Sequence, residues 1–329
     1  MTDENAAPLF LGPDAPVPID RPFTSAEARA AGVNKRQMSA WVGDGRLIVP
    51  IRGVAYAAQL PDGLELRSAC LKLVVPEDAV VTDRTAGWYH GASMVLAPND
   101  HLVVPPVSMF RSKAGYRLRN DLTASGERTF LPGEVVELDG LRVTSKLRTA
   151  CDLGLLLSRE QGFAGMDAMA RISEFDSSDL VTLGDGRFKG YRGVRTFRGT
   201  APYVDGRAQS APESVMKLRW RDCQELPPPV PQAPVEGPDG WFYLDLGLPD
   251  IKYAAEYDGA LWHGPEQQEH DRARRSWLVE HGGWIIDVFT AEDLWGPGAA
   301  FERRLRAGIV AARRRFGGLA WTGQDRRPR

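Results

Sequence analysis

The sequence predicts a mixed α+β protein with more than one domain, and three observations lead to this class. The chain has 329 residues, about twice the length of a common single domain. Segments with the apolar period of helices are interleaved with short apolar or alternating segments typical of strands. A composition of 43% hydrophobic and 26% charged residues is that of ordinary globular proteins, which excludes a wholly disordered, collagen-like or coiled-coil chain.

The cysteines and the N-terminus both favour a cytoplasmic protein. Cys70, Cys151 and Cys223 are odd in number, lie far apart and form no C-x-x-C pair, which argues against a disulfide framework and a cysteine-rich zinc site. The first residues include acids and prolines where a signal peptide needs basic residues and then an apolar run. No stretch reaches the roughly 18 apolar residues of a membrane span, so we expect no membrane partner.

Positive charge is concentrated at the C-terminus, although the formal net charge is only −2. The segment AAFERRLRAGIVAARRRF predicts an amphipathic basic helix, and residues 318–329 predict a basic tail. Such a helix favours binding to phosphates, and the alternative is a helix face that is simply solvated. The residues expected to face inward are Leu305, Ile309 and Val310.

Residues 1–20 lack apolar periodicity and predict a mobile tail, whereas residues 21–60 predict a winged helix-turn-helix. A capping box that begins at Thr24 opens a short helix, and a second start signal at Asn34 opens another. Two apolar segments around residues 50–53 then predict a β-hairpin, which completes the order helix, turn, helix, hairpin. The second helix is expected to have an apolar side formed by Met38, Trp41 and Val42.

In a winged helix-turn-helix the second helix enters the major groove of DNA. We therefore predict contacts with phosphates or base edges from one set of residues on that helix, Lys35, Arg36, Gln37 and Ser39. Arg52, near the hairpin tip, would reach the flanking backbone. The alternative is that two short helices and a hairpin form a structural or partner-binding module.

Residues 64–205 predict a middle α+β domain that carries no specific chemistry. His90 and His101 have no second ligand at a metal-binding spacing, so we interpret both as structural histidines. The glycine-rich text over residues 183–206 lacks the strand-to-helix placement of a phosphate loop and predicts a linker or surface loop.

A cluster of carboxylates is predicted where WFYLDLGL and KYAAEYDG form two adjacent strands. Because side chains alternate along a strand, Glu256 and Asp258 share a face, and Asp245 can lie opposite them across the hairpin. Glu213, on the preceding predicted helix, could add a fourth carboxylate. Like charges that converge in this way are commonly solvated or neutralised by a divalent cation with oxygen ligands.

A helix, a hairpin bearing Asp245, and then Glu256-x-Asp258 resemble the PD-(D/E)XK nuclease core. The text that follows, D-G, W-H, D-R and then G-W before IIDVF, resembles domains related to the very-short-patch repair endonuclease, over roughly residues 208–297. The resemblance implies a restriction-endonuclease-like α/β domain, which we assign to residues 206–317.

This resemblance implies hydrolysis of phosphodiester bonds with Mg²⁺, or Mn²⁺ in its place. Asp245 and Glu256 would be metal ligands, and Glu213 an outer or second ligand. His263 would orient the water or transfer a proton.

The sequence departs from the nuclease pattern at Asp258, which stands at the position that is commonly lysine. The missing cation would have to come from His263 or Arg274, and we also assign Arg274 and Arg275 to DNA binding. Two alternatives follow: a degenerate nuclease fold kept for DNA binding, and acids that are merely solvated.

The front of the chain carries a second resemblance. FTSAEARAAGVNKRQMSAWVGDGRLIVPIRGVAY is similar to the N-terminal winged helix of AbiEi-type antitoxins of type IV toxin-antitoxin systems, and TSKLRTACDLG is similar to the domain that follows it. This resemblance implies binding to operator DNA, and a nucleotidyltransferase-like toxin as partner. We therefore expect a DNA-binding protein with a metal-dependent endonuclease domain, or alternatively a non-enzymatic repressor or antitoxin.

Overall fold

The computed structural model describes residues 10–92, 106–112, 123–238, 240–258 and 265–316, with side chains from residue 272 in the last range. The chain divides into two compact units. Unit 1 comprises Met1–Leu156 and Ile172–Phe175, and unit 2 comprises Leu157–Arg171 and Asp176–Arg329. Both units contain helices and sheets, so the mixed α+β class is confirmed. No helix within the described ranges is long and apolar enough to cross a membrane.

Unit 1 begins with two short helices and a three-stranded antiparallel sheet of order β1-β3-β2. Thr24 caps the first helix as predicted, because its hydroxyl accepts a bond from the Glu27 amide at 3.1 Å. Asn34 caps the second helix by accepting from the Gln37 amide at 2.9 Å. The elements are β1 (Phe23–Thr24), α1 (Ser25–Ala30), α2 (Lys35–Gly43), β2 (Leu47–Ile51) and β3 (Val54–Ala57).

The segment before β1 is packed, so the predicted mobile tail is wrong for residues 10–20, while residues 1–9 lie outside the described residues. Leu11 and Val17 are buried in the same core cluster as Trp41. The Leu11 carbonyl accepts a bond from the Gln59 side chain at 3.0 Å. These apolar residues have no regular period, because an irregular segment fits its side chains to a pocket that the rest of the chain forms.

One face of α2 also differs from its prediction. Trp41 is buried and Met38 is half-buried, as expected, but Val42 is 39% exposed. The short helix contacts its core through a single narrow stripe, and Val42 lies outside it.

The second part of unit 1 is a five-stranded mixed sheet of order β6-β5-β4-β8-β7 with three helices. Its core cluster includes Ile51 and Tyr56 from the first sheet together with Leu71 and Val143, so the first sheet packs on this core as well as on the cluster that contains Trp41. Residues 93–105, which include His101, and residues 113–122 lie outside the described residues. The elements are α3 (Leu64–Lys72), β4 (Val80–Val81), α4 (Asp83–Tyr89), β5 (Val107–Arg111), β6 (Thr123–Glu127), β7 (Val135–Leu138), β8 (Leu141–Thr144) and α5 (Lys146–Leu156).

Unit 2 begins with four helices, α6 (Arg159–Arg171), α7 (Ser177–Asp185), α8 (Val194–Thr200) and α9 (Ala211–Asp222). The prediction of a linker over residues 183–206 is therefore wrong, because helices form there around the fully buried Phe188 and Phe197. A Cβ atom at Gly184 would lie 2.8 Å from the Phe197 ring, so this glycine permits close packing rather than flexibility.

The predicted middle domain is divided between the two units, since residues 157–171 and 176–205 belong to unit 2. A buried ion cluster ties this region to α9: the Lys217 ammonium lies 2.7 Å from the carboxylates of both Asp167 and Asp205. Such long-range pairing is invisible in a pattern of local periodicity.

The sheet of unit 2 has the order β12-β11-β10-β9, with β11 and β12 parallel and the other pairs antiparallel. One face packs on α9 and α12 through residues such as Trp220 and Leu305, and the other packs on α10 through Leu278. The two predicted hairpin strands and the basic helix are confirmed, except that Val310 is 45% exposed rather than inward-facing. The elements are β9 (Val230–Gly237), β10 (Gly240–Leu248), β11 (Tyr253–Tyr257), α10 (Pro265–Glu280), β12 (Ile285–Phe289), α11 (Ala291–Trp295) and α12 (Phe301–Phe316).

Candidate functional site

The acids of the predicted cluster meet where β10 and β11 separate. The two strands pair from Leu246 with Ala255 to Leu248 with Tyr253. One position further, the Tyr257 amide donates to the Asp245 carboxylate at 2.8 Å. A side chain thus takes the acceptor role that a strand carbonyl has in a regular ladder, and the strands are free to diverge.

The alternation of β10 breaks at Asp245. Leu244 packs in the core beneath α10, whereas Leu246 packs in the core beneath α9 and α12. Residues two apart share a face in a regular strand, so the backbone must rotate between them. On β9, Gln232 has a φ of +49° and lies between the partners of Leu244 and Leu246, which marks an irregularity on both strands.

Glu213 approaches the same place from the first turn of α9. Its amide is capped by the Ser210 hydroxyl at 3.3 Å. Its carboxylate accepts from the Gln209 amide at 2.8 Å and from the Gln232 side chain at 3.1 Å. Burial raises the pKa of the Glu213 carboxyl, while the Gln209 amide opposes that shift.

Asp245 is the most strongly perturbed acid of the cluster. Burial, and then the negative charges of Glu213 and Glu256, raise the pKa of Asp245 to about 8. The bond from the Tyr257 amide and the charge of Arg274 act in the opposite direction and do not offset this. Asp245 therefore holds its proton more firmly than an ordinary carboxyl group does.

Glu256 is 1% exposed and is held by two neighbouring residues of α10. Arg274 Nη2 lies 2.9 Å from Glu256 Oε1, and Arg275 Nε lies 2.9 Å from Oε2. Arg275 also lies 3.3 Å from Asp258, and Arg274 donates to the Tyr243 carbonyl at 3.1 Å. Two guanidiniums therefore lie beside Glu256, and one of them also lies beside Asp258.

The carboxylate oxygens of this cluster are the kind of donor that a hard divalent cation prefers. Asp245 accepts from the Tyr257 amide, and Glu213 accepts from the Gln209 amide and the Gln232 side chain, all of them neutral donors. The positive charges of Arg274 and Arg171 oppose the rise in the pKa of Asp245 and of Glu213, respectively, but burial outweighs them. Glu256 would have to release Arg274 or Arg275 in order to share an oxygen with a metal. Within the described ranges, no three His, Cys, Asp or Glu side chains already form a metal-binding group. His263 lies outside the described residues.

A second set of predicted residues lies on unit 1. The side chains of Lys35, Arg36, Gln37 and Ser39 are all exposed on α2. Arg52 lies in the turn between β2 and β3, as predicted, and is half-buried. The helix therefore offers an open polar face next to the hairpin.

Sequence reasoning missed two features of the site. Gln232, which positions Glu213, carries no signal in the sequence because its role depends on an unusual backbone angle. Trp241 and Tyr243 are 61% and 53% exposed on β10, two and four residues before Asp245. The alternation in W-F-Y-L, where every second residue shares a face, could have revealed the second feature.

These features define a two-unit α+β protein with an acid and arginine cluster at a strand separation. No family model matches the chain. The uncharacterized proteins MT2308 and Rv2248 from Mycobacterium tuberculosis strains CDC 1551 / Oshkosh and ATCC 25618 / H37Rv are each 30% identical to it over 276 residues, 83% of this chain and 97% of theirs. The chain therefore belongs to the same family as these mycobacterial proteins.

A solved structure was also found, the crystal structure of the RV2827C protein from Mycobacterium tuberculosis. It is 11% identical, with a TM-score of 0.29, and the match covers 67% of this chain and 84% of that one.

Proposed function

We propose that the chain is a DNA-binding protein whose C-terminal unit hydrolyses phosphodiester bonds with a divalent cation, Mg²⁺ or Mn²⁺. One observation carries this proposal: Asp245 and Glu256 lie on adjacent strands where β10 and β11 separate, and burial, followed by the negative charges of Glu213 and Glu256, raises the pKa of Asp245. Acids with strongly perturbed pKa values in a cluster are candidates for catalysis. Because repulsion between the acids is not fully compensated, a cation is the natural complement.

Each side chain has a role in this scheme. A bound cation would polarise the scissile phosphate and lower the pKa of a water. Asp245 and Glu256 would hold the cation, and Glu213 would support it as an outer or second ligand. Arg274 and Arg275 would stabilise the negative charge that develops on the phosphate, in place of the lysine that Asp258 replaces. His263 would orient the attacking water or accept a proton from it.

Unit 1 would bring DNA to the protein. Lys35, Arg36, Gln37 and Ser39 would meet the major groove, and Arg52 the flanking phosphates. The exposure of the α2 side chains supports this role, since a recognition helix must present polar groups that the fold does not use.

A second candidate function is a DNA-binding repressor or antitoxin that does not cut, with a nucleotidyltransferase-like toxin as partner. The contacts of Glu256 favour it, because both carboxylate oxygens already bond to guanidiniums. An acid neutralised in this way needs no metal for charge balance.

Incubation with supercoiled plasmid separates the two candidates. With Mg²⁺ or Mn²⁺ we expect the wild type to nick or cut the plasmid, and Asp245→Asn and Glu256→Gln to lose at least 100-fold in rate. Asp250→Asn is the matched control, because Asp250 is an exposed acid of the same unit in the turn after β10. If the wild type leaves plasmid intact with both metals, the hydrolytic proposal is wrong and the repressor remains.

Gel shifts test the role of α2. We expect Lys35→Ala with Arg36→Ala to weaken binding to DNA from upstream of the chain's own gene and to lower the salt slope by about 1 to 2. Lys189→Ala removes an exposed charge from unit 2 and should leave binding unchanged. Equal binding by the α2 variant across a range of salt would remove the winged helix from the proposal.

A further inference from the structure

Two exposed aromatic side chains stand beside the acid cluster. Trp241 and Tyr243 are 61% and 53% exposed, although large aromatic side chains normally bury most of their surface. They are two residues apart on β10, so they share one face of the strand about 7 Å apart. Their cross-strand partners on β9, the edge strand of the sheet, are Glu236 and Pro234.

The exposure is not caused by a loose strand. Phe242, between the two aromatic residues, packs on the opposite face in the core beneath α10, with its ring 5.6 Å from that of Trp277. The backbone of β10 pairs with β9 at each of these positions. Trp241 and Tyr243 are thus held rigidly outward, which lowers the entropy that a ligand must overcome to stack on them.

The aromatic residues lie next to the acid cluster along β10. Asp245 follows Tyr243 by two residues, at the point where the alternation of the strand breaks. Arg274 belongs to α10, on the opposite face, and reaches the strand itself, because one of its nitrogens donates to the Tyr243 main-chain carbonyl and another to Glu256. A ligand that lay over both rings and followed β10 would reach Asp245.

We propose that Trp241 and Tyr243 form a stacking platform for unpaired bases, so that the site acts on single-stranded DNA or on a single-stranded segment of a duplex. The choice of a nucleic acid as occupant rests on the proposed function. Aromatic faces stack on any base and give binding without sequence preference. Bases inside a duplex are already stacked on one another, so the platform discriminates in favour of unpaired strands.

Binding of a labelled 12-residue oligo(dT) to the full chain, measured by fluorescence anisotropy in EDTA, tests this inference without requiring cleavage. We expect Trp241→Ala and Tyr243→Ala each to raise Kd by roughly 5- to 100-fold, and Trp241→Phe to change it by much less, since a ring remains. Trp241→Ala and Tyr243→Ala should each change the Kd for a 12-base-pair duplex by less than about twofold. Trp295→Ala is the matched control, because Trp295 is also exposed in unit 2 but lies on α11.

Three results would overturn the inference: no wild-type binding to oligo(dT), equal binding by the double variant Trp241→Ala with Tyr243→Ala, or an equal loss in Trp295→Ala. If the double variant binds oligo(dT) normally but shifts a wild-type dimer to monomer in sedimentation, the face is a contact between copies of the chain and the inference is wrong.

The two proposals can fail separately. Plasmid cutting with oligo(dT) binding that ignores Trp241 would keep the hydrolytic function and reject the platform. Binding to oligo(dT) that depends on Trp241, without plasmid cutting, would keep the platform and reject the hydrolytic function. Because both side chains are largely exposed, we expect the variants to keep the wild-type circular dichroism spectrum and denaturation midpoint.

Discussion

Unit 1 contains a buried acid and arginine cluster of its own, and it differs from the cluster of unit 2 in how the charges are paired. Arg148 contacts Glu134 and lies 3.0 Å from Asp152. Arg128 lies 2.6 Å from Asp83 and 3.2 Å from Asp152. Every acid of this group has a guanidinium in direct contact, and Arg128 also stacks on the Phe110 ring at 3.9 Å. The group is a closed network.

In unit 2, Arg274 and Arg275 both pair with Glu256, and Arg275 also pairs with Asp258. Asp245 and Glu213 accept from neutral amide donors, and the charges of Arg274 and Arg171 act on them less strongly than burial does. The comparison teaches that burying acids beside arginines does not by itself indicate a function. Within a closed network, removal of one partner is strongly destabilising because it leaves a buried charge uncompensated, whereas acids that lack a direct cation already carry such a cost.

The largest expected effect breaks the closed network. Arg148→Met should destabilise unit 1 by about 3–5 kcal/mol, because Glu134 and Asp152 would remain buried without this partner. Hydrogen exchange, resolved by peptide, would measure the loss in unit 1 separately from unit 2.

Lys72→Met is the control for this change. Its ion pair with Asp139 is 3.1 Å long, and both side chains are about half exposed. We expect a change of at most about 1 kcal/mol. A comparable loss in both variants would show that burial does not distinguish the two pairs.

An intermediate effect of opposite sign is expected in unit 2. Asp245→Asn keeps an acceptor for the Tyr257 amide but removes the repulsion with Glu213 and Glu256, so it should stabilise unit 2 by about 1–2 kcal/mol at pH 8 while abolishing cleavage. Urea denaturation followed by hydrogen exchange of unit 2 peptides would measure the gain.

The gain should shrink toward low pH. The pKa of Asp245 is raised in the folded protein, so the wild-type penalty is present at high pH and disappears once the group is protonated in both states. Asp250→Asn, at an exposed acid in the turn after β10, should change stability by less than about 0.5 kcal/mol. A loss of stability in Asp245→Asn would show that the charged Asp245 carboxylate is favourable in the folded protein, and it would contradict this expectation.

The smallest effect sharpens the structural role of unit 1. His90 donates from Nε2 to the Thr144 carbonyl at 2.7 Å, and burial, with a smaller contribution from Lys146, lowers the pKa of the His90 imidazole below its ordinary 6.5. The unfolded chain therefore binds the proton more readily, and the stability of unit 1 should fall as the pH drops from 7 to 5.

His90→Gln keeps a donor for the carbonyl and should remove this part of the pH dependence, at a cost below about 1 kcal/mol at pH 7. Thermal denaturation of both proteins at pH 5, 6 and 7 checks the expectation. Parallel curves for the two proteins would contradict it.

Helix starts were predictable because the responsible contacts are local. Thr24 and Asn34 each bond to an amide three residues ahead, within one turn of chain. The hairpin that carries Asp245 and Glu256 was also predictable, since alternating side chains and an intervening proline turn identify both strands.

The arrangement of the site was not predictable in the same way. The rotation of β10 at Asp245 accompanies the backbone angle of Gln232 on another strand. The pairing of Glu256 with Arg274 and Arg275 joins residues 18 and 19 apart. In both cases the deciding partner lies outside any local window of the sequence.

Packing of irregular segments was the other failure. Leu11 and Val17 are buried without any periodicity, and Phe188 is buried in glycine-rich text. Burial of such side chains depends on a pocket that other elements create, so composition alone suggested a tail and a loop.

The amino-acid sequence by itself determined the mixed class, the capped helices of unit 1, the hairpin with its acids and the amphipathic basic helix. Each of these follows from contacts or periodicity within a few residues. Only the tertiary structure decided which acids keep a cation, where β10 and β11 separate, and that Trp241 and Tyr243 face outward beside the cluster. The reason is physical: ion pairing and burial gain their free energy from groups that are distant along the chain, and these meet only when the chain has folded.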